Sequence, residues 1–240
     1  GEGAFMNCAN LAGNLVIPEH VGDPNDDNFN YNDGKYAFYN CQELTGTLTL
    51  DRFIPQIPEY AFYNCKFTGS LNLPRAIIIG QYAFYGCSGF DGTLTLLELY
   101  DTAITPSSAS IGKCAFYGCS NLKGELNVQN YETIGSNAFY NCYSLTGDVE
   151  LNDGLSQIND YTFYNCTGLD NLVIHNQFLQ LDDQAFALTH LKQVNFQGLN
   201  NIRCGSNVFP SDQKIELPPD YLSDEFCGIK IKKPEVITSE

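Results

Sequence analysis

The pentapeptide Ala-Phe-Tyr-Asn/Gly-Cys constrains this chain more than any other feature. It stands at Ala37–Cys41, Ala61–Cys65, Ala83–Cys87, Ala115–Cys119 and Ala138–Cys142. Thr162–Cys166 is a weakened copy, Ala4–Cys8 a truncated one, and Ala185-Phe186 and Val208-Phe209 are remnants. The phenylalanines fall at 5, 38, 62, 84, 116, 139, 163, 186 and 209, most of them 22 to 24 residues apart. A fixed period of about 23 residues marks a solenoid, because one such coil cannot bury its apolar side alone and must share a core with its neighbours. Residues 1–228 are therefore expected to form a single stack of about nine coils, with 229–240 as a C-terminal tail.

Within each repeat the cysteine is followed by alternating apolar and polar residues, the signature of a half-buried strand. Leu44-Thr45-Gly46-Thr47-Leu48-Thr49-Leu50 is the clearest case, with equivalents at Leu11–Ile17, Phe67–Leu73, Phe90–Leu96, Leu122–Val128 and Leu145–Leu151. Gly13, Gly46, Gly69, Gly92, Gly124 and Gly147 recur inside these strands. Glycine there points to a bulge or a close backbone approach. The coils at Leu169–Ile174 and Leu191–Phe196 lack it and should pair more regularly. A second short extended piece ends in Ile-Gly (Ile79-Gly80, Ile111-Gly112, Ile134-Gly135) and leads into the Ala-Phe segment. That segment has room for only one helical or 3₁₀ turn.

Seven of the ten cysteines (Cys8, Cys41, Cys65, Cys87, Cys119, Cys142 and Cys166) lie three residues after the repeat phenylalanine. They form one column at a strand spacing of about 4.8 Å, with parallel side chains. That arrangement suits small buried thiols better than disulfides, whose Cβ atoms must point at each other. A line of ligands also cannot wrap a metal tetrahedrally. Cys204 falls in the column of Ile57, Ile79, Ile111, Ile134, Ile158 and Leu181 and reads as a core substitute. Cys114 and Cys227 fit neither column and have no evident partner.

The formal charge is −16, from 28 acidic and 12 basic residues. Nucleic acid is an unsuitable partner for such a chain, since its recognition begins with a basic footprint. No apolar run approaches the roughly 18 residues of a spanning helix, so no membrane insertion is expected of these residues. The chain opens within a repeat at Gly1-Glu2-Gly3, without a signal peptide, and reads as a piece of a longer protein. The three histidines keep no fixed relation to the cysteines, and no carboxylate pair or Ser-His-Asp set recurs at useful spacing. Neither an enzyme nor a cofactor is expected.

Leu-x-x-Leu-x-Leu followed by Ile-Gly-x-x-Ala-Phe-x-x-Cys resembles the BspA-type (treponemal, LRR_5-like) leucine-rich repeat. Ile134-Gly135-Ser136-Asn137-Ala138-Phe139-Tyr140-Asn141-Cys142-Tyr143-Ser144-Leu145 matches it nearly position for position, and the likeness covers residues 4–210. The resemblance implies a right-handed, curved leucine-rich repeat solenoid, with a parallel β-sheet on the concave face and short helical or 3₁₀ turns opposite. It also implies a secreted or cell-surface protein of anaerobic bacteria or mucosal protozoa, adhering to host or bacterial surface proteins. It brings no catalytic residues. The extra strand glycine and the tyrosine after the phenylalanine depart from the family pattern.

That tyrosine yields the main candidate contact surface. Tyr39, Tyr63, Tyr85, Tyr117, Tyr140 and Tyr164 form one column, and Tyr36, Tyr60, Tyr82 and Tyr161 a second, three residues earlier. Tyrosine offers rigid amphipathic contact area at low entropy cost, so the columns could hold a protein or a glycan. The alternative is that the rings only pack over neighbouring coils. Two insertions, near 22–33 and 99–108, add Asp23, Asp27, Tyr100 and Asp101 as candidates, since insertions in solenoids gather on one face. Asp23, Asn25 and Asp27 have the spacing of an oxygen-ligand calcium loop, but Asn28 and Gly34 stand where that loop needs Gly and Glu. On the concave face Thr49, Asn72, Thr95, Asn127 and Glu150 point outward, small and polar, with no aromatic anchor among them. The expected function is extracellular protein contact or adhesion, with glycan binding or a structural stalk as alternatives.

Overall fold

The computed structural model describes residues 1–18, 34–51, 54–98, 109–175, 179–200 and 202–231. The chain is a parallel β-solenoid held together by columns of identical residues. The nine repeat phenylalanines form one ladder, with successive ring centroids 5.0–5.7 Å apart and planes within 17° of parallel. Leucine, isoleucine, alanine and cysteine columns surround the ladder in a single buried cluster. Only the first ring, Phe5, is substantially exposed, at 45%.

Two sheets run along the stack. One has seven strands of two residues each: Gln56–Ile57, Ile78–Ile79, Ser110–Ile111, Thr133–Ile134, Gln157–Ile158, Gln180–Leu181 and Arg203–Cys204. The second residue of each points inward, which is why isoleucine recurs there.

The other sheet is interrupted. Leu15–Ile17 pairs with Leu48–Leu50, and Leu71–Asn72 pairs with Leu94–Thr95. Gly124–Glu125, Leu145–Glu150, Leu169–Ile174, Gln193–Phe196 and Ile215–Glu216 then form a five-stranded sheet. Most of these strands are shorter than the sequence pattern suggests, and the inserted glycines explain it. Gly147 has φ +86° and the register shifts between it and Val149. Gly46 is required for a different reason: a Cβ there would lie 2.5 Å from the Gly13 carbonyl carbon in the preceding coil. Where the glycine is missing, pairing is continuous, with Asn171–Ile174 matched residue for residue to Gln193–Phe196.

Among the described residues the Ala-Phe segments are not helical, contrary to expectation. Alternate amides serve two purposes. Ala37, Tyr39 and Cys41 close turns onto Gly34, Tyr36 and Phe38, while Tyr36, Phe38 and Asn40 donate to Glu59, Ala61 and Tyr63 of the next coil. A helix would point every amide along its own axis. Here the chain takes a left-handed step at Tyr36 (φ +56°) and Asn40 (φ +58°), so half the amides face the neighbouring coil. The step repeats at Tyr60 and Asn64, and at Tyr161 and Asn165. Asparagine or glycine fills the second position because both tolerate this conformation.

The cysteine column is buried as expected, with only Cys8 partly exposed. Each thiol from Cys41 to Cys166 donates to the carbonyl of the preceding coil's phenylalanine, at 2.9–3.1 Å. Two readings of the remaining cysteines need correction. Cys204 occupies the isoleucine column but is disulfide-bonded to Cys227, with Cα atoms 5.2 Å apart. Cys114 fits a column after all: it takes the place of a tyrosine in the series Tyr36, Tyr60, Tyr82, with the same left-handed backbone (φ +53°). The first residues of the expected tail pair with the solenoid's end: Ile229–Lys230 runs antiparallel to Glu225–Phe226. Phe226 packs on Phe196 and Phe209 and closes the core there.

Candidate interaction surface

The tyrosines are placed by the turn stack. Each follows a core phenylalanine by one residue, so its ring leaves the core side and lies half-buried on the surface. Tyr39, Tyr63, Tyr85, Tyr117, Tyr140 and Tyr164 stack in order, with centroids 4.6–4.8 Å apart and planes within 12° of parallel. That spacing is the strand spacing, so the backbone dictates it. Tyr36, Tyr60 and Tyr82 form a second stack at 4.7 Å. The two stacks touch, for example Tyr36 with Tyr39 at 5.9 Å and Tyr82 with Tyr85 at 5.8 Å. The second stack then breaks at Cys114, a buried free thiol in the place of a ring. It resumes only with Tyr161, edge-on to Tyr164 at 5.6 Å.

The rings do pack over neighbouring coils, but on one another and at the surface. Their faces cover each other, leaving edges and hydroxyls outward. Burial, reinforced by the neighbouring phenols, holds Tyr63, Tyr117 and Tyr140 above the usual tyrosine range. Their hydroxyls are neutral donors across physiological pH. An asparagine ladder borders the stack, with Asn64 Nδ2 donating to Asn40 Oδ1 at 2.9 Å and Asn165 Nδ2 to Asn141 Oδ1 at 2.9 Å.

Thr49, Asn72, Thr95 and Glu150 lie in strands of the interrupted sheet, and Asn127 follows the strand Gly124–Glu125. Thr49 is exposed beside Val16, and Thr95 Oγ1 donates to Asn72 Oδ1 at 3.3 Å. Asn127 turns its Oδ1 to the Gln129 amide at 3.2 Å. Glu150 meets His175, a residue the sequence did not single out. His175 Nε2 lies 3.0 Å from Glu150 Oε1 and its Nδ1 2.8 Å from Gln197 Oε1. The Gln197 acceptor, then Glu150, hold its pKa above the ordinary histidine value. Spacing alone could not reveal this trio, because its members sit in three coils with no shared motif. Asp23, Asp27, Tyr100 and Asp101 lie outside the described residues. Among the described residues no group of three His, Cys, Asp or Glu side chains could hold a metal ion, and no helix is long and apolar enough to cross a membrane.

A profile of the BspA type leucine rich repeat region matches residues 1–98 and 93–216, in six copies. The chain belongs to the BspA-type leucine-rich repeat family. A leucine-rich repeat protein from Bacteroides ovatus ATCC 8483 shares the fold, with a TM-score of 0.55 and 19% identity, over 95% of this chain and 61% of that one. A leucine rich cell surface protein from Faecalibacterium prausnitzii A2-165 aligns with a TM-score of 0.44 and 22% identity, over 85% of this chain and 62% of that one. This BspA-type chain thus spans about three-fifths of each. A search of curated proteins finds no match.

Proposed function

We propose that this chain is a non-catalytic protein-contact module of a secreted or cell-surface protein, and that the tyrosine face makes the contact. One observation carries the reading. The phenylalanine ladder packs the core without hydroxyls, yet directly beside it six tyrosine rings, half-buried, stack with centroids 4.6–4.8 Å apart along the surface. Rings held this rigidly lose little entropy on binding. The covered ring faces favour a protein over a glycan, since a sugar stacks on an aromatic face and not on its edge. Export is supported by the Cys204–Cys227 disulfide, a bond that persists in oxidising compartments. Repeat solenoids commonly serve as extended binding surfaces, and that analogy supports the class of function without naming the ligand.

The reading is tested by presenting the purified chain to immobilised matrix proteins, bacterial surface proteins and mucin glycans. Variants lacking 22–33 or 99–108 run alongside and separate the inserts from the tyrosine face. Saturable binding to a protein, retained without the inserts, is expected. Binding to glycans alone would replace the reading with a lectin-like one. No binding across the panel would favour a stalk.

A further inference from the structure

The first tyrosine stack ends abruptly. The position after the repeat phenylalanine is Tyr in six coils, but the next coil has Ala187. The backbone register continues through the change, since the Asn165 amide donates to the Ala187 carbonyl at 2.9 Å and Phe186 stacks on Phe163 at 5.0 Å. The place where a seventh tyrosine ring would lie is therefore set by the ladder, and Ala187 supplies no ring there. Tyr164 meets Tyr140 on one face and Tyr161 edge-on, and among the described residues no ring covers its other face.

The residue beside this gap is unusual in three ways. Leu188 holds the left-handed position (φ +57°) that Asn7, Asn40, Asn64, Gly86, Gly118, Asn141 and Asn165 fill in earlier coils. Leucine has neither the freedom of glycine nor the local hydrogen bonding of asparagine that eases this backbone. Tyr36, Tyr60 and Tyr82 bear the same conformation, but their ring stacking offsets it. Leu188 is 54% exposed and gains no such packing. Its amide is also released: the seven equivalent amides each donate to the next coil, at 2.6–3.0 Å, and among the described residues the series stops at Leu188. Strain held without local compensation marks a functional position.

We propose that the gap over Ala187 is a binding site for an aromatic side chain of a protein partner, which stacks on Tyr164 and extends the ladder by one ring. Ala187 is its floor, Leu188 its apolar wall, and the Leu188 amide a donor at its rim. The inference deepens the functional reading above and rests on it in treating the tyrosine face as the contact surface.

The test uses a small probe, so it does not depend on finding the natural partner. N-acetyltryptophanamide is titrated into methyl-labelled protein while the Ala187 and Leu188 methyl signals are followed by NMR. Saturable upfield ring-current shifts of both are expected. Ala187→Tyr fills the gap with the chain's own ring, and because it removes the Ala187 methyl the readout there is Leu188 alone: its shifts should be abolished while Tm is kept or raised, which separates loss of the site from loss of the fold. Absence of saturable shifts, or shifts that persist in Ala187→Tyr, overturns the proposal. Equal shifts from methyl β-glucoside overturn the assignment to an aromatic ring. Should the panel yield a protein that binds wild type and Ala187→Tyr equally, this site fails while the broader reading stands.

Discussion

Cys119 Sγ donates to the carbonyl oxygen of Phe84, one coil earlier, at 3.1 Å, and both residues are fully buried. The same carbonyl already accepts the Cys87 amide, so the thiol adds a second bond across the coil interface. It fills a small apolar space and satisfies a spare lone pair with one side chain. We predict that Cys119→Ala lowers stability by about 1–2 kcal/mol, from the lost atom and the lost bond together. Denaturant unfolding of the two proteins measures the difference, and a change below about 0.5 kcal/mol would mean that the bond is incidental.

The thiol column should also make the fold alkali-sensitive. Burial raises the pKa of Cys41, Cys65, Cys87, Cys119, Cys142 and Cys166, with Cys119 and Cys166 pushed up to about 12. The neutral thiol is thus favoured by folding. Its stabilising effect is fully present below the unfolded pKa of about 8.5 and is lost as pH rises through the higher folded values. Each thiol ionised only in the unfolded chain steepens the loss by about 1.4 kcal/mol per pH unit. Stability followed by urea unfolding should hold to about pH 8 and then fall steeply. A flat profile to pH 10 would contradict this burial.

The disulfide ties the last coil to the terminal hairpin across a sequence separation of 23 residues. In the chain-entropy account, closing such a loop stabilises the fold by about 3 kcal/mol. The double variant Cys204→Ser, Cys227→Ser should lose roughly that much. Because Phe226 seals the core beside it, hydrogen exchange should rise first around Val194, Phe196 and Phe209 and leave the Cys65–Cys119 coils protected.

Gly46 has no room for a side chain: a Cβ would sit 2.5–2.6 Å from backbone atoms of Gly13 and Asn14. Those atoms belong to the neighbouring coil and cannot rotate away. Gly46→Ala should therefore cost about 1–3 kcal/mol, as overpacking does. Gly1, with open space around it, accepts alanine without measurable loss.

The columns were legible in the sequence because a solenoid maps periodicity onto space: residues 23 apart become neighbours. Phe62 and Phe84, Ile57 and Ile79, and the tyrosines all follow from counting. What counting could not supply was backbone conformation. Asparagine and glycine alternate after the tyrosines at Asn64, Gly86, Gly118 and Asn141, and that choice signals left-handed backbone, which is incompatible with the expected helical turn. The signal was present and could have been read from residue chemistry. Cys227 and His175 lie outside the periodic scheme, or depend on side-chain reach, so their partners were invisible to it. Leu188 breaks the asparagine–glycine column and is conspicuous only once that column's backbone is known.

In the function proposed above, the hydroxyls of the tyrosine stack carry the contact. The most direct test replaces Tyr63, Tyr85, Tyr117 and Tyr140 with phenylalanine together and titrates the protein partner recovered from the binding panel. The stack survives such a change, so Tm should move by no more than about 4 °C, equivalent to about 1 kcal/mol. Affinity should fall at least about ten-fold, the loss of one or two net hydrogen bonds. Unchanged affinity with unchanged stability would show that these tyrosines only close the surface of the solenoid, and that contact is made elsewhere.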